Sequence, residues 1–227
     1  MTGGRIAYWT ILLTCAGVLS VSTSCGSDDS PGAPPPSTGG FDVGVIEDDY
    51  AGSGPTLVIL GDSITNQSRA ELHQVLDPHY RTKVGAVTGE GFGGGPLSAA
   101  VGEGRRGMLE AAAEYALDDP STVVIALGTN DAWNPQLGLD AAKEAMAAMV
   151  ATFPESCVVG VAVSEWSEAE NYDRGEARSL NAQLRDLAVV VVPALEPSDV
   201  GADMIHPTTE GKTAFAQAVA SGVRTCA

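Results

Sequence analysis

Five short apolar runs, each followed or preceded by a segment of helical pattern, set the limits on how this chain folds. Residues 56–60 read Thr-Leu-Val-Ile-Leu, residues 122–127 Thr-Val-Val-Ile-Ala-Leu, and residues 157–163 Cys-Val-Val-Gly-Val-Ala-Val. None alternates apolar with polar, so each reads as a strand covered on both faces. Residues 82–87 and 189–192 complete the set, the former weakened as a strand by Gly85. Between these runs, residues 69–76, 107–117, 139–153, 177–187 and 209–223 carry helical sequence. Strand alternating with helix requires right-handed crossovers between parallel strands. The expected fold class is therefore α/β, a three-layer α/β/α sandwich with a central, mostly parallel five-stranded sheet. Ligands of such sheets bind beyond the carboxyl ends of the strands, near the point where strand order reverses.

The ends of the chain point to export. Residues 1–25 read as a signal peptide, with Arg5 as the positive start and 6–21 as an apolar stretch marginal for a membrane span. Ser22-Thr23-Ser24 lead into Cys25 and a polar Gly-Ser-Asp-Asp run. That junction resembles a bacterial lipoprotein signal, which makes Cys25 the expected lipidation site. Ser22 stands where such signals normally carry Leu or Val, and Cys15 is a weaker alternative. Plain secretion or an uncleaved anchor is the other reading. Residues 26–49, with Pro34-Pro35-Pro36 and Gly39-Gly40, show no apolar periodicity and are expected to form a flexible tether. Residues 50–227 suit one domain with a single core.

Of the four cysteines, Cys15 falls in the signal and Cys25 at its end, leaving Cys157 and Cys226. An even pair in an oxidising compartment suggests a disulfide, which would pin the C-terminus to the sheet; two buried thiols are the alternative. The formal net charge is −17, and the only charge in the signal is Arg5. No basic cluster exists beyond Arg105-Arg106, which argues against nucleic acid and against anionic headgroups as partners. The acidic balance reads as a solubilising surface. The expectation is a monomer of the cell envelope, touching the membrane only through its anchor.

Three strings carry chemistry: Gly61-Asp62-Ser63-Ile64-Thr65, Gly128-Thr129-Asn130-Asp131 and Asp203-Met204-Ile205-His206-Pro207. The first two follow strands, and the third lies in the loop before the last helix. Ser63 is a candidate nucleophile, but a serine hydroxyl needs a base to take its proton. His206 is the candidate base, since His73 and His79 lie in or beside an amphipathic helix. Asp203, three residues before His206, can reach the imidazole Nδ1 within one loop, fixing the tautomer and stabilising the imidazolium. Pro207 favours an extended His206 and suits the first turn of the closing helix.

Attack on an ester carbonyl develops an oxyanion that needs prearranged donors. The backbone N–H of Ser63 and the side-chain amide of Asn130 are two candidates. The N–H of Gly89 is a third, with Gly91 as the alternative in a loop crowded with glycine. Asp62 is expected to accept backbone hydrogen bonds that shape the serine turn. Trp133 and Trp166 each follow a strand at the same edge and are candidates for lining the substrate pocket, against local packing. Asn181 is expected to bond a neighbouring loop.

These blocks, in this order, resemble the SGNH (GDSL-type) hydrolase family over residues 50–227. The resemblance implies Ser63 as nucleophile and Asp203 and His206 as the rest of a triad. It implies an oxyanion hole of Ser63 N–H, Gly89 N–H and Asn130 Nδ2, and catalysis with neither metal nor cofactor. Glu90 and the glycines after it depart from the family's pattern. The function expected is an exported serine esterase acting on carboxylic esters of small acyl groups. An O-acyltransferase or deacetylase acting on cell-envelope glycans would use the same groups. A non-catalytic glycan- or lipid-binding lipoprotein is a third reading, weakened because Ser63, Asp203 and His206 are all present. A nucleotide binder would need a phosphate cradle after the first strand, where Asp62 has the wrong charge.

Overall fold

The computed structural model describes residues 46–47, 49–89, 91–92, 108–133 and 138–226. The signal, Cys15, Cys25, most of the 26–49 stretch and most of the glycine loop 91–96 lie outside the described residues. The described residues all fall in one unit, Phe41–Ala227.

Two short pieces open the sheet, β1 (Ile46–Glu47) and β2 (Ala51–Gly52). The main strands follow as β3 (Thr56–Gly61), β4 (Arg81–Ala86), β5 (Thr122–Ala126), β6 (Cys157–Val161) and β7 (Val190–Val192). The order across the sheet is β1-β4-β3-β5-β6-β7, with β2 also paired to β4. β3 to β7 run parallel, whereas β1 and β2 pair antiparallel with β4. The five expected strands are thus present, and the antiparallel edge is added to them. β1 falls in the stretch expected as tether, so sheet pairing begins before residue 50.

Side chains alternate across the sheet because the strand period is two. Leu57, Ile59, Val124 and Val159 share one apolar cluster with Leu72, Phe215 and Val219. These last belong to α2 (Arg69–Leu76) and α7 (Thr209–Arg224). Val58, Leu60, Val123 and Ile125 pack on the other face against Met108, Met146 and Leu180. Those come from α3 (Met108–Tyr115), α5 (Leu139–Ala151) and α6 (Arg174–Leu187). The double covering explains why the strand sequences lack alternation. α6 begins before the apolar pattern does, because Asp173 caps it by accepting from the N–H groups of Gly175 and Glu176.

Chain order places the site. From β3 the chain steps outward to β4, then returns past β3 to β5. The strand order therefore reverses between β3 and β5, and register aligns Gly61 with Ala126 there. Two five-residue helices grow from those strand ends, α1 (Ser63–Gln67) and α4 (Thr129–Trp133). At the opposite end, a disulfide joins Cys157 at the start of β6 to Cys226 beyond α7, with the Cα atoms 5.8 Å apart.

Candidate active site

Ser63 is the first residue of α1, directly beyond β3. Asp62 caps that helix, its Oδ1 accepting from Ile64 N–H at 2.9 Å, as expected of a carboxylate shaping the turn. The turn is tight: a Cβ on Gly61 would fall on the Thr65 side chain. Only glycine lets α1 fold back against the strand it leaves. Ser63 Oγ, in a residue only 6% exposed, lies 2.9 Å from His206 Nε2.

His206 Nδ1 is 2.7 Å from Asp203 Oδ2. A neutral imidazole carrying its proton on Nδ1 donates to the carboxylate and leaves Nε2 to accept from the serine hydroxyl. Asp203 Oδ1 also accepts from the backbone N–H groups of Ile205 and His206, at 3.1 and 3.0 Å. The turn that permits this puts Met204 at φ +61°, a left-handed conformation uncommon outside glycine. A bridge between Val200 and Pro207 closes the loop, with Gly201 N–H donating to His206 O at 2.8 Å. Burial opposes the Asp203 charge, but hydrogen bonds from the His206 ring and from the His206 and Ile205 backbones outweigh it, so its pKa lies below the ordinary value.

Asp62 is the opposite case. It is 1% exposed, and burial raises its pKa to about 7, against backbone N–H groups and the His206 charge that pull it down. Beneath the serine turn, Asp62, Leu127, Thr129 and Ser164 border a hollow of about 20 Å³, room for about one water.

The remaining expected residues divide. Asn130 lies half-buried in the first turn of α4, at the strand reversal. Gly89 follows β4 with φ +78°, and Val87 N–H, just before it, donates to Gly61 O at 3.0 Å. Trp133 approaches His206 edge-on, centroids 6.4 Å apart at 68°, with its Nε1–H donating to Glu170 O at 2.8 Å. Trp166, partly buried, packs against the cluster shared by α2 and α7 and donates its Nε1–H to Leu195 O at 2.9 Å. Asn181 binds both the N–H and the C=O of Val163 and reaches Glu165, holding the segment after β6 as expected. Among the described residues no group of three His, Cys, Asp or Glu could hold a metal ion.

Two residues without an assigned role in the sequence reading matter to this geometry. Ser167, 1% exposed, donates its hydroxyl to Met204 O at 2.9 Å and braces the turn between Asp203 and His206. Asp131, 8% exposed, accepts from Phe92 N–H at 2.7 Å. No sequence signal marks Ser167. Asp131 carried one: a carboxylate a few residues beyond a buried strand needs donors, and the glycine-rich segment has N–H groups to offer.

No protein-family model matches the chain, and no curated protein matches it in sequence. Solved structures do match in shape. The catalytic domain of Streptococcus pneumoniae peptidoglycan O-acetyltransferase A superposes with a TM-score of 0.52 at 20% identity, over 77% of this chain and 96% of that one. A carbohydrate esterase family 2 enzyme with its carbohydrate-binding domain, from Corynascus thermopiles (Myceliophthora fergusii), gives 0.57 at 19%, over 77% and 67%. A protein of the G-D-S-L lipolytic family from Desulfitobacterium hafniense gives 0.51 at 14%, over 73% and 98%. The chain has the fold of the SGNH/GDSL hydrolases.

Proposed function

We propose that this protein is an exported serine esterase that hydrolyses carboxylic esters of small acyl groups through an acyl-enzyme. The observation that carries the reading is the continuous relay Asp203–His206–Ser63, at 2.7 and 2.9 Å, standing where the strand order reverses. As Ser63 Oγ attacks the ester carbonyl, His206 Nε2 takes its proton and Asp203 stabilises the imidazolium. The N–H groups of Ser63 and Gly89 and the Asn130 amide receive the oxyanion, each worth about 3 kcal/mol in the barrier. Collapse expels the alcohol, which takes the proton from His206. Water then repeats the sequence on the acyl-enzyme and releases the acid.

Transfer of the acyl group to a glycan hydroxyl is a second reading, and Trp133 favours it. A partly exposed indole edge-on to the base, 6.4 Å away, offers an apolar flank for a sugar ring. The structural neighbours include a peptidoglycan O-acetyltransferase and a carbohydrate esterase. Export, lipidation at Cys25 and monomeric action belong to the same proposal; the Arg5-led apolar start and the disulfide support export.

The test is hydrolysis of p-nitrophenyl esters of increasing chain length by the unit Phe41–Ala227, which keeps β1, wild type beside Ser63→Ala. Hydrolysis that disappears in Ser63→Ala supports the esterase, and its chain-length optimum sizes the acyl pocket. Equal rates in both remove Ser63 as nucleophile. No hydrolysis in either leaves transfer, measured as acetyl gain on a chito-oligosaccharide, or binding without catalysis.

A further inference from the structure

We infer that Asp131 is a positioning residue that sets the oxyanion hole by clamping the glycine loop to α4; the inference rests on the esterase reading above. The segment that carries Gly89 is held at two points. At its start Val87 N–H donates to Gly61 O at 3.0 Å, as an extension of the β3–β4 ladder. At the other end Phe92 N–H donates to Asp131 Oδ2 at 2.7 Å, in a buried contact between residues far apart in sequence. Gly89 lies between the clamps, so the direction of its N–H depends on both.

The close fit at the second clamp is specific. A Cβ on Gly91 would collide with the Asp131 carboxylate, so the loop backbone lies directly on that side chain. Phe92 is 5% exposed and anchored in the apolar cluster under α3 and α5, which fixes the donor as firmly as the acceptor. Asp131 is also the neighbour of Asn130 within α4. One carboxylate therefore ties the strand-end helix that carries one oxyanion donor to the loop that carries another. A charge-assisted hydrogen bond of this length is among the stronger kinds. Removing the acceptor leaves a buried N–H unpaired and frees the loop end. An oxyanion hole works only while its donors stay preorganised, so the loss should appear in the transition state and not in ground-state binding.

The experiment uses Asp131→Ala, Asp131→Asn and Asp131→Glu in the full chain. It reads kcat and KM on p-nitrophenyl acetate, inhibition by a methylboronic acid that forms a tetrahedral adduct, and amide exchange at Phe92. Asp131→Ala is expected to lower kcat about 10- to 100-fold with KM within about threefold. Boronate affinity should fall in parallel, and the pH profile of kcat should stay in place. Asp131→Asn keeps an acceptor oxygen and should stay within about threefold of wild type. Amide exchange at Phe92 should accelerate in the alanine variant alone. Unchanged kcat in Asp131→Ala, or a loss confined to KM, or a displaced pH profile, overturns the inference. Should the alanine variant fail to fold, Asp131→Glu decides: its longer carboxylate pushes the loop away and lowers kcat and boronate affinity together, whereas wild-type values for both overturn the clamp's role. If wild type shows no Ser63-dependent hydrolysis, the esterase reading fails and takes the catalytic role with it. A slowly exchanging Phe92 amide that Asp131→Ala releases would still separate that failure from the absence of the clamp.

Discussion

The two ends of the same sheet are built differently. At the amino ends of the strands the polar links join neighbours already close: Ser121 Oγ to Thr56 O, Ser156 Oγ to Pro120 O, and the disulfide from Cys157 to Cys226. These links staple strand to strand and helix to sheet, and they hold no buried carboxylate. The carboxyl ends bury Asp62, Ser63, Asp131 and Asn181. Three of them contact a separate segment there, Ser63 the His206 loop, Asp131 the loop at Phe92 and Asn181 the segment after β6, while Asp62 accepts from Ile64 N–H within its own turn. Buried polar groups cost stability unless fully bonded. One end of the molecule therefore carries its stability and the other spends some of it on arrangement.

The sharpest way to break that comparison is Ser63→Ala. Ester hydrolysis should fall roughly ten-thousand-fold, while thermal melting stays within about 0.5 kcal/mol of wild type. A large drop in melting temperature would mean that the serine is structural as well. The reverse experiment is the double change Cys157→Ser and Cys226→Ser. Opening a loop with a sequence separation of 69 residues should cost about 4 kcal/mol on the chain-entropy model. Activity of the folded fraction at room temperature should stay within about twofold, read by active-site titration beside a denaturant curve. A loss of turnover per folded molecule would show that the two ends are coupled.

Asp62 gives a smaller, pH-dependent effect. Its folded pKa of about 7 lies above the ordinary 3.8, so the folded state holds that proton more tightly than the unfolded chain does. Its contribution is thus full at low pH and is lost as pH rises through the window from about 4 to 7. Asp62→Asn removes that term. Between pH 4.5 and 7.5 wild type should lose roughly 6–12 °C of melting temperature relative to the variant, and parallel curves would refute it. The smallest effect is expected from Ser167→Ala, which removes the brace on Met204 O. Losing one hydrogen bond worth about 1 kcal/mol should lower the melting temperature by about 2–4 °C, and loosening of the Met204 turn should lower kcat about fivefold. A melting change without a rate change would place Ser167 with the staples instead.

Legibility followed the range of the interactions. Residues 56–60 and 122–127 announced buried strands because a strand covered on both faces must be apolar throughout, a local property. Asp203 and His206 could be paired from the sequence because they lie three positions apart in one loop. The short helix α1 read as a turn and α4 only as the segment after a strand, since five residues are too few to show a helical period. Ser167 was silent and Trp166 ambiguous for another reason. Each acts through a backbone carbonyl, of Met204 and of Leu195, and a carbonyl leaves no mark on the sequence that supplies it. Trp133 and Trp166 looked equivalent after their strands, yet one stands edge-on to the His206 ring and the other, partly buried, packs against the core.

By itself the sequence determined the layers and the parallel sheet and named the candidate reacting groups, because burial pattern and side-chain chemistry belong to each residue where it stands. Only the tertiary structure decided that Ser63 meets His206 across a sequence separation of 143 residues, and that Asp131 grips Phe92 while its neighbour Asn130 stands at the strand reversal. Those distances depend on strand order and on how each loop packs, which are set by the whole core together and not by any one segment.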